Sequence, residues 1–221
     1  MCYGAIHGPT TPADRHKGLL SGKTDPLPES IFGPRPGKPD YLDQRQAWIE
    51  GPDGTAIMKS SGKSHTEWLQ QVHECMMSVD EGVGQLVQAL RDSGQLENTL
   101  VVYTSDQGFA NGEFGLRQKV APYDVSYGSP LIVSRPGTIP SGKFCPHSVN
   151  SPDLVATFFA QAGMEHPWKM HGRDFSTLLT NPESKDWEHA TLFTHMGQDF
   201  GSEVDRALRS ESVADHAGVP Y

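Results

Sequence analysis

The residues of this 221-residue chain with the clearest chemical potential stand together in Thr104-Ser-Asp-Gln-Gly-Phe-Ala-Asn-Gly-Glu-Phe-Gly-Leu-Arg-Gln-Lys119. Asp106 and Gln107 set a carboxylate beside a carboxamide. Two hard oxygens side by side suit a hard cation, and calcium tolerates the irregular geometry of adjacent side chains. Gly108, Gly112 and Gly115 let the following loop turn tightly. Lys119 then brings back one positive charge, which can hold a sulfate or phosphate oxygen and stabilise charge on it during transfer. A plainer alternative stands beside each. A strand ending in Ser-Asp-X-Gly is often only a turn, with the Asp capping its own backbone, and a lone lysine is commonly a solvated surface residue.

These groups need an element to carry them. Asn98–Thr104 is β-branched and nearly all apolar, as in a buried strand. It would deliver Asp106 and Gln107 to its carboxyl end, where open α/β sheets place ligands. Before it, Leu69, Val72, Met76, Val79, Val83, Leu86, Val87 and Leu90 recur at spacings of three and four. That stripe predicts a helix over 64–94, with Ser64 and Glu67 as a capping box and Gly94 at its end. Met76 and Met77 fall on it as core residues. Ser129–Ser134 predicts a second strand, and Ser151 is expected to cap a helix from Pro152 to about Ala162. Helix, strand, loop, strand, helix implies an α/β domain: a mostly parallel sheet flanked by helices. Residues 2–6 read as a short strand closed by His7-Gly8-Pro9. From about 9 to 62 the chain is rich in Pro and Gly and is expected to be one long surface loop. After about Thr180 it is polar and poorly periodic.

The composition narrows the function. The net charge is −9 with no dense Lys/Arg stripe, so no nucleic-acid partner is expected. An acidic protein can still hold an anion on a local cation cluster. No apolar run approaches the roughly 20 residues of a membrane-spanning helix. Cys2, Cys75 and Cys145 form no CxxC pair, which disfavours zinc and redox motifs. His65 and His73, eight apart on the helix, are expected at the surface or partly buried. His166, His171, His189, His195 and His216 lack ligand spacing.

Taken together, these segments resemble the sulfatases of the alkaline-phosphatase superfamily. Thr104-Ser-Asp-Gln-Gly, Gly112-Glu-Phe-Gly115 and Lys119 look like the family's second metal motif, T-S-D-[HNQ]-G, G-E-H-G and Lys. Met77-Ser-Val-Asp-Glu-Gly-Val-Gly-Gln-Leu86 is similar to its preceding helix. Ser129–Gly137, Asn150–Thr157 and His171–Leu178 resemble later segments in order. The likeness covers roughly residues 1–180. It implies that Asp106 and Gln107 are metal ligands and that Lys119 contacts the sulfate. It also implies that His7, in Ile6-His-Gly-Pro-Thr-Thr-Pro, faces the sulfate and helps protonate the leaving alcohol. The cofactor it implies is calcium, with magnesium as the alternative. The implied substrate is a sulfated small molecule or carbohydrate. Family habit is periplasmic or secreted, and no signal peptide is visible.

The chain also departs from the family pattern. The nucleophile is a Cys or Ser in C/S-x-P-x-R, converted to formylglycine, and no such run occurs here. The amino-terminal pair of metal-binding aspartates and the Lys-x-His sulfate clamp are missing, and Phe114 stands where the loop usually has His. The expectation is therefore a partial catalytic domain over 1–180, truncated at both ends. Residues 181–221 would begin an incomplete carboxyl-terminal region. Two rival readings remain: an inactive fragment, or a phosphoester or phosphonate hydrolase of the same superfamily.

Overall fold

The structure, a computed structural model, describes residues 3–4, 6–39, 41–119, 121–187 and 189–191. In chain order its elements are α1 (Tyr41–Gln44), β1 (Trp48–Glu50), β2 (Ala56–Met58), α2 (His65–Asp92), β3 (Val101–Thr104), β4 (Ala110–Asn111), β5 (Arg117–Gln118), α3 (Asp124–Tyr127), β6 (Leu131–Ser134), α4 (Ser151–Gln161) and α5 (Ser176–Thr180). Two compact units share them. One holds Met1–Leu86 and Ser105–Ser129, the other Val87–Thr104 and Pro130–Thr194, so the division falls inside α2. No helix among the described residues is long and apolar enough to cross a membrane.

The first unit is built on α2. Ser64 and Glu67 form the expected cap: the Ser64 amide donates to Glu67 Oε2 at 2.9 Å and the Glu67 amide to Ser64 Oγ at 3.2 Å. Leu69, Cys75 and Val79 are buried along the stripe, while Met76 and Met77 are only half-buried. The segment over 9–62, expected as one loop, is more ordered than its composition suggests. β1 and β2 pair as an antiparallel hairpin with Trp48 opposite Met58, turned through Gly51-Pro-Asp-Gly54. Ile31, Trp48, Ala56 and Met58 from this segment join Trp68 and Leu69 of α2 in a buried cluster. Pro and Gly mark the turns here, and the strands between them are too short to show a period. Further upstream, Arg15 and His16 both bond Glu81, at 2.5 and 2.7 Å. The Arg15 hydrogen bond, then that from His16, holds the Glu81 carboxyl down at about 2.

Of the strand expected over 2–6, residues 2 and 5 lie outside the described residues. Tyr3, Gly4 and Ile6 join no ladder; the chain turns, with the His7 amide donating to Gly4 O at 3.1 Å.

In the second unit, β3 and β6 pair antiparallel, with Val102 opposite Val133. Leu100, Leu131 and Val133 pack with Val149 and Leu154 around buried Phe175, Leu178, Leu179 and Trp187. The α/β class is as expected, but all three ladders among the described residues are two-stranded and antiparallel. A parallel neighbour needs a crossover of a dozen or more residues, usually helical, and the described residues of 105–130 carry the β4–β5 hairpin, a 3-10 turn at Glu113–Gly115 and the single turn α3. The cap of α4 also sits one residue earlier than expected. Asn150, not Ser151, accepts from the Asp153 amide at 3.2 Å, and Asp153 Oδ2 accepts from the Asn150 amide at 2.9 Å. Trp187, in the polar stretch after Thr180, is buried and donates to Ser148 O at 3.1 Å. The rest of that stretch from 192, His195 and His216 with it, lies outside the described residues, as does Cys2.

Candidate active site

The chain leaves β3 at Thr104 and bends at once through Asp106 and Gln107. Ser105 Oγ donates to Gln107 O at 2.9 Å and tightens the bend. The Asp106 side chain is exposed and makes no hydrogen bond among the described residues, so it does not cap its own turn. Gln107 is half-buried. Gly108 follows because nothing larger fits. A Cβ there would lie 2.5 Å from Val125 O and 2.8 Å from Gly128 O, both backbone atoms of α3 and its end. Gly108→Ala should therefore push the Asp106–Gln107 bend off α3. We expect a loss of about 1–3 kcal/mol in unfolding free energy, read by urea titration.

A hairpin then returns the chain. β4 and β5 pair antiparallel, Ala110 opposite Gln118 and Asn111 opposite Arg117. The ladder ends at Ala110 and Gln118, so Lys119, next in the chain, leaves the hairpin at the end that also carries Phe109 and, two residues earlier, Gln107. Lys119 is exposed and has no carboxylate partner among the described residues. Asp106, Gln107 and Lys119 thus share one loop. His7 sits in a separate exposed turn, its Nδ1 3.1 Å from Gly8 O, and no hydrogen bond joins it to the other three among the described residues.

What fixes the hairpin was hidden in the sequence. His65, expected at the surface or half-buried, is 1% exposed. Its Nε2 lies 2.6 Å from Asn111 O and ties the start of α2 to β4. Trp48 donates through Nε1 to Leu116 O at 3.2 Å. Its ring packs edge-on to His65 at 5.1 Å and tilted against Trp68 at 5.9 Å. Phe109 lies 5.8 Å from Trp68, and the Arg117 guanidinium stands 5.2 Å over the same indole. Burial pulls the Arg117 guanidinium below its ordinary range. A histidine at a helix start carries no sequence sign of this role. His73 remains half-exposed, 3.6 Å from Asp25.

A hard cation fits the chemistry of Asp106 and Gln107, whose oxygens are unengaged by other side chains. They are a partial set: no group of three His, Cys, Asp or Glu among the described residues could hold a metal. Calcium ordinarily takes six to eight oxygens.

The Sulfatase family model matches residues 7–164, a span that holds all four candidates. A putative extracellular sulfatase Sulf-1 homolog of Caenorhabditis elegans is 32% identical over 188 residues, which cover 84% of this chain and 25% of the relative. An N-acetylglucosamine-6-O-sulfatase of Bacteroides thetaiotaomicron is 34% identical over 140 residues, 60% of this chain and 25% of the relative. Among solved structures, a phosphonate monoester hydrolase from Silicibacter pomeroyi aligns with a TM-score of 0.51 at 25% identity, over 72% of this chain and 34% of its own. The chain therefore spans about a quarter of the length of these two curated relatives. The family is generally metal-dependent. On the match over 7–164, this chain belongs to the sulfatase family.

Proposed function

We propose that this chain supplies the carboxyl-side part of a calcium-dependent sulfuric ester hydrolase acting on a sulfated carbohydrate. The observation that supports the reading is the family match over 7–164, which holds all four residues, together with the β4–β5 hairpin that joins the Asp106–Gln107 bend to Lys119. Asp106 and Gln107 would hold the cation. When bound, a calcium ion neutralises sulfate oxygens as a Lewis acid. Lys119 holds an equatorial sulfate oxygen and offsets the negative charge of the SO3 group as the nucleophile's electron pair approaches it. His7 binds a second oxygen and passes a proton to the departing alcohol. The attacking group belongs to a C/S-x-P-x-R segment that these 221 residues do not contain. Hydrolysis is accordingly expected of a form that carries such a segment and not of these residues alone.

The likeness to a phosphonate monoester hydrolase favours a second reading, transfer at phosphorus. The two share the oxyanion chemistry of Lys119 and differ in the central atom. Rates on paired nitrophenyl sulfate and phosphate esters separate them, in a form with the nucleophile segment. The sulfate should react with the higher kcat/KM, chelation should abolish that rate, and added calcium should restore it. A higher kcat/KM for the phosphate ester would overturn the sulfatase assignment.

A further inference from the structure

The loop that carries Lys119 is flanked by two aromatic rings. Phe114 stands five residues before the lysine and Tyr123 four after it, and their ring centroids are 5.0 Å apart. A second cation stands over both. Lys38 Nζ is 4.8 Å from the Phe114 centroid and 4.4 Å from that of Tyr123. No carboxylate pairs with it among the described residues.

Lys38 is placed by built features rather than by a wandering side chain. Arg35-Pro-Gly-Lys38 forms a turn closed by the Lys38 amide donating to Arg35 O at 3.0 Å. Proline presets its second position, and Gly37 takes φ +72° at the third, which a side chain would resist. Arg35 is itself anchored, to Asp43 at 2.7 Å and to Gln46 Oε1. On the other side, Phe114 holds φ 54° and ψ 24°, a left-handed conformation that a non-glycine residue resists. Its amide donates to Ser30 Oγ at 2.9 Å, which helps keep it there. Strain in a non-glycine residue persists where the surroundings over-determine it. Here the result is a ring laid against Lys38.

A ring face attracts an ammonium group but leaves its full charge uncompensated. A half-buried, oriented cation with no acidic partner is complementary to an anion, and hydrogen bonds to an ionised acceptor are roughly twice as strong as neutral ones. Arg35, already engaged by Asp43, does not compete for that anion. We propose that Lys38 is a specificity residue: it takes a second anionic group, sulfate or carboxylate, of a sulfated sugar whose scissile sulfate is held at Lys119. This rests on the sulfate-ester reading for the location of the first sulfate. It adds the substrate class, a sugar with two anionic groups.

The test measures affinities of the 221-residue chain with calcium present. The probes are a hexose 6-monosulfate, a hexose disulfate and a sulfated hexuronate. The wild-type chain should bind at least one dianionic probe about tenfold tighter than the monosulfate, as expected for one charge-assisted contact. Lys38→Met should bring that ratio to about one, with monosulfate affinity unchanged, and Lys38→Arg should keep the preference. On titration, the Lys38 Nζ resonance should shift with the dianionic probe and not with the monosulfate. A preference for the disulfate alone, or for the hexuronate alone, supports the proposal and names the second group. The proposal is overturned if the wild type shows no preference, if none of the probes binds, or if Lys38→Met lowers all affinities equally. Lys119→Ala separates the two readings. If it leaves monosulfate binding intact while the Lys38 ratio holds, the sulfate-ester reading fails and the anion site at Lys38 stands.

Discussion

Replacing Lys119 with alanine should lower kcat/KM for a nitrophenyl sulfate by about 10²–10³-fold, in a form that carries the nucleophile segment, as for removal of one oxyanion donor. The size of the effect follows from where the charge develops. In the ground state, sulfate spreads one negative charge over three oxygens. As the attacking oxygen approaches sulfur, its electron pair repels the negative charge of the sulfate oxygens, and the ammonium offsets that repulsion. A lysine with no internal carboxylate partner meets that change with its full charge. The loss should appear in KM as well as kcat, since the ammonium holds the sulfate oxygen in the bound substrate and more strongly in the transition state. Lys119→Arg should recover only part of the rate, because its planar fork replaces a point charge. A loss within twofold of the parent for Lys119→Ala would remove the lysine from the mechanism.

The second large effect is on stability. Trp48→Ala should lower the unfolding free energy by about 3–5 kcal/mol, seen as an earlier midpoint in urea with an unchanged slope. Trp48 is 1% exposed and touches three layers at once. It packs on His65 and Trp68 of α2, and it pairs through β1 with Met58 of β2. Its indole also satisfies Leu116 O on the segment between β4 and β5. Truncation would open a cavity and remove one of the two donors to that carbonyl, leaving the Gly112 amide at 3.0 Å, so the cavity is the main term. Trp48→Phe keeps most of the volume and loses the hydrogen bond, so its cost should be smaller, about 1–3 kcal/mol. Because the β4–β5 hairpin carries Lys119, the alanine variant should also lose activity at temperatures where it remains folded.

How far the sequence told these things depends on the length of each signal. α2 was legible because 28 residues repeat a spacing of three and four and open on a Ser-x-x-Glu box. α4 was legible from Pro152 and its apolar face; its cap was misplaced by one residue because Asn150 and Ser151 are both good caps and only the Asp153 geometry separates them. The hairpin of β1 and β2 was not legible. Three-residue strands show no alternation, and the Pro and Gly around them read as loop. The oxygen pair and the lysine were legible as a motif, but the hairpin between them was not. β4 and β5 are two residues each, and their pairing is fixed by His65, Trp48 and Trp68, which are distant in sequence. Lys38 gave no sign at all, since its role depends on two rings more than seventy residues away.

The claim on which the rest depends is that Asp106 and Lys119 act on the same anion. A double-mutant cycle on kcat/KM tests it directly, with Asp106→Asn, Lys119→Ala and the pair compared in the form that carries the nucleophile segment. Groups that share one site couple by about 0.5–3 kcal/mol, whereas independent ones add. The pair should be less damaged than the product of the two single losses, by a factor of about 2 to 160. Losses that multiply in full would place the two residues in separate sites and contradict the account.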